Sequence, residues 1–155
     1  LHSISRRQRQ MCIRDSYKII AIGKIKKKWI QEGIEMYLKR LPGLEVKEIK
    51  DSTQLKEEYS IKEIIGKNEL LVTLNENGQS FTSKQLATKL LNSHNQNISF
   101  VIGGASGLLP SLNNSASWQL SLSPLTFPHE IARLLLIEQI YRAKSITQGG
   151  PYHKE

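Results

Sequence analysis

Short apolar runs alternate along this chain with longer amphipathic stretches. Ile19-Ile20-Ala21-Ile22, ahead of Gly23, has the unbroken apolar character of a buried strand. Ile30, Ile34, Tyr37, Leu38 and Leu41 share one helical face, and Pro42-Gly43 ends that helix. Leu44 to Ile49 predicts a weaker strand, with Leu44 and Val46 in phase and Ile49 out of it. Leu55 to Ile65 predicts a helix ended at Gly66, and Leu70 to Leu74 a buried strand broken by Asn75-Glu76-Asn77-Gly78. Thr82 and Gln85 have capping-box spacing, and Leu86, Ala87, Leu90 and Leu91 form the face of the helix they open. Ile98 to Ile102 predicts the next strand and Leu108 to Ala116 a short helix; Trp118, Leu120 and Leu122 alternate as a last strand. Pro128 suits the first position of a closing helix, whose apolar residues Ile131, Leu134, Leu135, Ile137, Ile140 and Tyr141 leave little polar face. Such a helix needs cover on more than one side, from the sheet or from a partner subunit. The alternation of strands and helices predicts an α/β fold with a mostly parallel sheet flanked by helices.

The opening residues break this pattern. Leu1 to Ser16 has no helix or strand period and no signal-peptide core, and it resembles translated adapter read-through. It is therefore set apart as an expected non-native leader, residues 1–16, from a single domain expected over 17–155. A basic RNA-binding arm is the competing reading. The separation changes the charge argument, because the leader holds four arginines against one aspartate. The 155-residue chain carries a formal net charge of +8, and the body +5. That excess favours a polyanionic partner such as RNA. Cys12 is the only cysteine, so the body can form no disulfide, thiolate metal site or thiol nucleophile, a pattern that fits a cytosolic protein. No apolar run approaches the roughly 20 residues that span a membrane.

Chemistry concentrates in the last third. Gly103-Gly104-Ala105-Ser106-Gly107 follows a strand, where residues without Cβ let backbone approach a ligand or simply turn tightly. Leu122-Ser123-Pro124-Leu125-Thr126-Phe127-Pro128-His129 supplies a second loop beside a second strand end. Two such loops and the polar tail Pro151-Tyr152-His153-Lys154-Glu155 suggest a nucleotide-like site next to a separate substrate surface. The glycine spacing is neither G-x-G-x-x-G nor a P-loop, and no G-x-S-x-G elbow occurs. His94, His129 and His153 are too scattered for metal-ligand spacing, so no metal is expected. His129 can bond a ligand or cap the helix, and Tyr152 with His153 can act on a substrate or fray. Arg133 and Arg142 are open to phosphate contact or carboxylate pairing, and Glu138 with Arg142 has i, i+4 spacing.

Taken in order, these segments resemble the small SPOUT-superfamily methyltransferases of the RlmH family. The resemblance runs from Tyr17 to Glu155. It rests on Ile22-Gly23-Lys24, Val72-Thr73-Leu74, Phe100-Val101-Ile102-Gly103-Gly104 with Gly107-Leu108, and Leu120-Ser121-Leu122-Ser123 with Thr126-Phe127-Pro128-His129. Arg133, Glu138-Gln139, Tyr141-Arg142-Ala143 and Tyr152-His153-Lys154-Glu155 complete it. It implies a C-terminal deep trefoil knot, bent S-adenosylmethionine held within it, and a cytoplasmic homodimer. It also implies methylation of a pseudouridine at N3 in 23S ribosomal RNA, in helix 69, on the assembled ribosome. Carried over, the cofactor site is Leu74, Gly103, Leu122, Ser123, Pro124, Leu125, Thr126 and Phe127. Arg133, Arg142 and Lys154 are the RNA-facing cations. An acidic residue often follows the leucine in that family, and here Asn75 does. The segment between Ile49 and Glu69 is short for the family, which predicts a trimmed surface helix.

Methyl transfer from a sulfonium is an in-line displacement in which positioning supplies much of the rate. The N3 imide proton requires a base or a strong hydrogen-bond acceptor. His129, Glu138, Tyr152 and His153 are all candidates, and a tail reaching a partner's site would explain polar chemistry at a chain end. Two other classes stay open. A Rossmann-type nucleotide enzyme needs an acidic residue about 20 positions after the glycine loop, where this chain has Ser121-Leu122-Ser123-Pro124. A non-catalytic basic RNA-binding module needs no cofactor loops.

Overall fold

The computed structural model describes residues 16–93 and 96–154; residues 1–15 of the leader, Cys12 among them, and the positions of His94, Asn95 and Glu155 lie outside them. Strand β1 (Tyr17–Ile22) leads to helix α1 (Lys28–Lys39) and strand β2 (Leu44–Ile49). Helix α2 (Gln54–Ile64), strand β3 (Glu69–Ser80) and helix α3 (Ser83–Leu91) follow. Strand β4 (Asn97–Ile102), helix α4 (Pro110–Ser115), strand β5 (Trp118–Ser121) and helix α5 (His129–Thr147) complete the described chain. The five strands form one parallel sheet in the order β2-β1-β4-β3-β5.

Alternation along the strands builds two cores. Ile19, Ala21, Phe100 and Val72 face one side, where Ile30 and Ile34 of α1, Leu86 and Leu90 of α3, and Leu136, Ile137 and Ile140 of α5 cover them. Ile20, Ile22 and Val101 face the other side, closed by Ile61 of α2 and Leu112 of α4. The two-sided cover explains Ile49. Leu44 and Val46 join the first core, whereas the out-of-phase Ile49 packs against the second.

Local signals act as read from the chain. Thr82 Oγ1 accepts from Gln85 N at 3.1 Å and Gln85 Oε1 accepts from Thr82 N at 2.9 Å, the reciprocal box that opens α3. Pro128 caps α5 rather than beginning it, a one-residue difference. Strand β3 departs further from expectation. It does not end at Leu74: both Leu74 and Gln79 pair with Leu120, so Asn75–Gly78 bulges out of a ladder that continues to Ser80. A Cβ on Gly78 would lie 2.7 Å from Gln119 O, so glycine permits that return of the backbone.

The closing helix is covered within the chain on its Leu136, Ile137, Ile140 and Ala143 side. Leu135 is half-buried and outside both cores. The short 50–69 segment keeps an 11-residue helix in α2. Its Gln54 donates to Ser106 O at 2.7 Å and its buried Glu58 accepts from Ser111 Oγ at 2.7 Å, so α2 braces the glycine loop.

Candidate active site

The ends of β4 and β5 and the bulge within β3 open on one cleft of about 770 Å³. One wall is the bulge at Leu74–Glu76, the second the loop Gly103–Gly107, and the third the segment Leu122–His129. Its size lies in the range of small-molecule and cofactor sites. Of the residues expected to hold a cofactor, Leu74, Gly103, Leu122, Ser123, Leu125, Thr126 and Phe127 line it; Pro124 does not. Thr126 Oγ1 donates to Glu76 Oε2 at 2.6 Å and Ser121 Oγ to Glu76 O at 3.1 Å, tying the bulge to the third wall.

Of the two roles open to Gly103, the tight turn is the one its surroundings carry. A Cβ there would lie 2.8 Å from the carbonyl carbon of Gly107, so the constraint is closure of the loop on itself. The loop's hydrogen bond runs from Gly107 N to Gly104 O at 3.0 Å, and Gly107 adopts φ +71°.

Two polar atoms on cleft residues are buried without a hydrogen-bond partner among the described residues: Asn113 Oδ1 and His129 Nδ1. Buried polar atoms are ordinarily satisfied, so these two stand out on the residues that border the cleft. Asn113 and Glu76 were not among the expected site residues. Among the described residues Glu76 is the one carboxylate on the wall, adjacent to Asn75. Asn75 itself is knitted into the wall, donating to Gln119 Oε1 at 2.8 Å.

His129 begins α5 and rests against Gly23 at the end of β1, where a Cβ would lie 3.3 Å from its Cε1. One helical turn on, Arg133 is turned inward. It is 3% exposed, donates to Glu48 Oε2 at 2.6 Å and to Gly23 O at 2.9 Å. In this arrangement it fastens α5 to β1 and β2 and offers no guanidinium to RNA.

The remaining candidates gather elsewhere. Glu138 lies nine residues beyond His129, about 14 Å along the helix, and none of Glu138, Arg142, Tyr152 and His153 lines the cleft. Glu138 Oε1 accepts from Arg142 Nε at 3.0 Å, Arg142 Nη2 at 2.5 Å and the Tyr152 hydroxyl at 3.0 Å. The frayed-end reading of Tyr152 and His153 is corrected here. Tyr152 packs edge-on against Tyr141 at 4.7 Å with Arg142 over its ring, and its hydroxyl meets that of Tyr37 at 3.0 Å. His153 Nδ1 is 3.2 Å from Arg142 Nη1, and Lys154 is exposed. Burial, then the bonds to Tyr37 and Glu138, push the Tyr152 phenol well above its usual pKa. Among the described residues no cluster of His, Cys, Asp and Glu could hold a metal, and no helix is long and apolar enough to cross a membrane.

A parallel five-stranded sheet with its cleft between a glycine loop and a loop entering the last helix defines a class of α/β enzyme. Residues 16–153 match the family described as "Predicted SPOUT methyltransferase", and the chain belongs to that family. It is 93% identical, over 139 residues covering 90% of the chain and 96% of the relative, to the ribosomal RNA large subunit methyltransferase H of Prochlorococcus marinus (strain NATL2A). To the protein of the same name from P. marinus (strain MIT 9313) it is 52% identical over equal shares. A crystal structure of the SpoU methyltransferase AviRb from Streptomyces viridochromogenes in complex with the cofactor AdoMet superposes with a TM-score of 0.48 and 11% identity. That alignment covers 84% of this chain and 58% of AviRb.

Proposed function

We propose that this chain is an S-adenosylmethionine-dependent methyltransferase acting at N3 of a pseudouridine in helix 69 of 23S ribosomal RNA. Its substrate is the assembled ribosome and its setting the cytoplasm. The observation that carries the reading is the cleft, with its unsatisfied Asn113 Oδ1 and His129 Nδ1 and its single carboxylate, Glu76. An acceptor oxygen, an imidazole nitrogen and a negative charge suit a ligand bearing an amino-substituted ring and a cationic sulfur. Family membership and the 93% identical relative's name support methyl transfer to large-subunit ribosomal RNA.

When bound, S-adenosylmethionine supplies an electrophilic methyl group. The chain's part is to hold and orient. The Gly103–Gly107 backbone and the Leu122–Phe127 segment would enclose the donor, and the Glu76–Thr126 bond would keep the third wall closed upon it. His129 is the acid–base candidate that a single subunit brings to the cleft. Glu138 stands about 14 Å along α5 from His129, and Tyr152 and His153 pack beside it after the helix, outside the cleft, so we assign their cluster to the cleft of a second subunit in a homodimer. The raised Tyr152 phenol would then be a hydrogen-bond donor rather than a base. The C-terminal part is read as the family's trefoil knot.

Labelled methyl transfer to ribosomes lacking the modification tests the reading, with nucleoside mass spectrometry to locate the label. One N3-methylpseudouridine per large subunit is expected. Label elsewhere, or none despite cofactor binding, rejects it.

A further inference from the structure

The cleft leaves one strongly basic stretch without a role. Lys24, Lys26, Lys27 and Lys28 occur within five residues and are all exposed, and Trp29 follows at 59% exposure. None of the four ammonium groups is within ion-pair distance of a carboxylate among the described residues. Nor does Trp29 have an aromatic or cation–π partner there. Trp29 thus presents a large apolar ring with a polar N–H edge beside the lysines, the kind of side chain enriched at interfaces.

The backbone beneath these side chains is fastened to the cleft. Gly23 N donates to Ile49 O at 2.8 Å, and Gly23 O accepts from Arg133. The amides of Lys26 and Lys27 both donate to Glu130 Oε1, the latter at 3.1 Å. Those two bonds, Lys27's first, hold the Glu130 carboxyl below its usual pKa range. Glu130 follows His129 on the cleft wall, so one residue of α5 faces the cleft and the next anchors the basic stretch. Because Glu130 takes two amides at the start of α1, anion recognition here falls to the lysine side chains.

We propose that Lys24, Lys26, Lys27, Lys28 and Trp29 form an RNA-docking rim beside the cleft, with the lysines on phosphates and the indole stacked on an unpaired base. The proposal rests on the functional reading above and names a surface for it. Phosphate neutralisation by lysine and base stacking on an exposed ring are complementary halves of recognition of looped-out RNA. An anionic membrane is the weaker fit. Beyond Trp29 the exposed positions of α1 are Gln31, Glu32, Glu35, Met36 and Lys39, so Met36 is the one further apolar side chain and the helix lacks the continuous apolar face a bilayer needs.

The test compares the wild type with the triple variant Lys26→Gln/Lys27→Gln/Lys28→Gln, with Trp29→Ala and with Trp29→Phe. Two readouts are taken: methyl transfer to unmodified ribosomes, and co-sedimentation with the same ribosomes over a range of salt. The triple variant should raise KM for ribosomes on the order of ten-fold and flatten the salt slope by about 2–3, at roughly 0.7–0.9 per lost phosphate contact. Trp29→Ala should raise KM about 5–150-fold, the range of one lost base stack, and Trp29→Phe should restore most of it. Affinity for S-adenosylmethionine and kcat should stay within about two-fold, as the variants leave the cleft untouched. Unchanged KM and salt slope in the variants would overturn the rim. So would loss of binding to phosphatidylserine vesicles with ribosome binding intact, which would make the surface a membrane contact. Co-sedimentation needs no methyl transfer, so it decides the rim even if the wild type methylates nothing.

Discussion

Arg133 and Glu48, 85 residues apart in sequence, are joined by a 2.6 Å bond in which the arginine is buried and the glutamate side chain is 42% exposed. The pair locks the first turns of the closing helix to the edge of the sheet, directly beneath His129. Removing Glu48 strands a buried guanidinium, whereas removing Arg133 leaves a carboxylate that water can reach.

Glu48→Ala should therefore cost more than Arg133→Met, about 2–3 against about 1–2 kcal/mol, discounted for the exposure of Glu48. Urea unfolding of the two single variants and the double variant measures the coupling. Full stability in Arg133→Met with a raised KM for ribosomes would return Arg133 to the RNA surface.

The tail makes a second prediction. Tyr152→Phe keeps the ring packing and loses the bonds to Tyr37 and Glu138, a cost of about 1–2 kcal/mol. A phenol whose folded pKa is raised favours folding fully below its unfolded pKa, about 10, and loses that contribution as pH rises beyond it. The wild type should thus lose stability above about pH 10 more steeply than Tyr152→Phe. Parallel pH curves would show that the hydroxyl is not held as described. Removing residues 152–155 should lower the melting temperature and abolish methylation, while leaving affinity for S-adenosylmethionine within a few-fold; equal methylation rates would leave the chemistry to His129.

Leu135 points away from both cores, unlike Ile140, which is fully buried within the chain. Leu135→Glu is accordingly the substitution that reads subunit association without disturbing the fold. Sedimentation at micromolar concentration should show a wild-type dimer and a folded Leu135→Glu monomer without activity. A monomeric wild type would dismiss the shared-site arrangement.

The elements were legible because their signals are local. Strand runs such as Ile19–Ile22, the helical face of Ile30 and Ile34, and the Thr82–Gln85 box each depend on neighbours in sequence. The cleft was legible too, through loops already singled out by glycine and proline. Long-range pairings were not. Nothing near Arg133 announces Glu48, and nothing near Tyr152 announces Tyr37, 115 residues away. Asn113 looked like a residue of a short polar helix, and only the chain's return past Gly107 brings it to the cleft. Glu76 stood in the quoted Asn75–Gly78 loop, but its place depended on a bulge that periodicity reads as a strand's end.

Gly103→Val and His129→Ala separate the loop from the ligand contact. An added side chain at Gly103 meets Gly107 backbone, so that variant should lose thermal stability along with cofactor affinity. His129→Ala removes a ring nitrogen that has no partner among the described residues and should keep its melting temperature within about 2 °C.

Calorimetric titration with S-adenosylmethionine tests the central claim most directly, on the wild type and on folded His129→Ala and Asn113→Ala. Saturable binding at one site per chain is expected in the wild type, weakened about ten-fold or more by each substitution, the loss of roughly one charged or well-buried hydrogen bond. Heats of dilution alone from the wild type, or equal affinity in all three proteins, would contradict it.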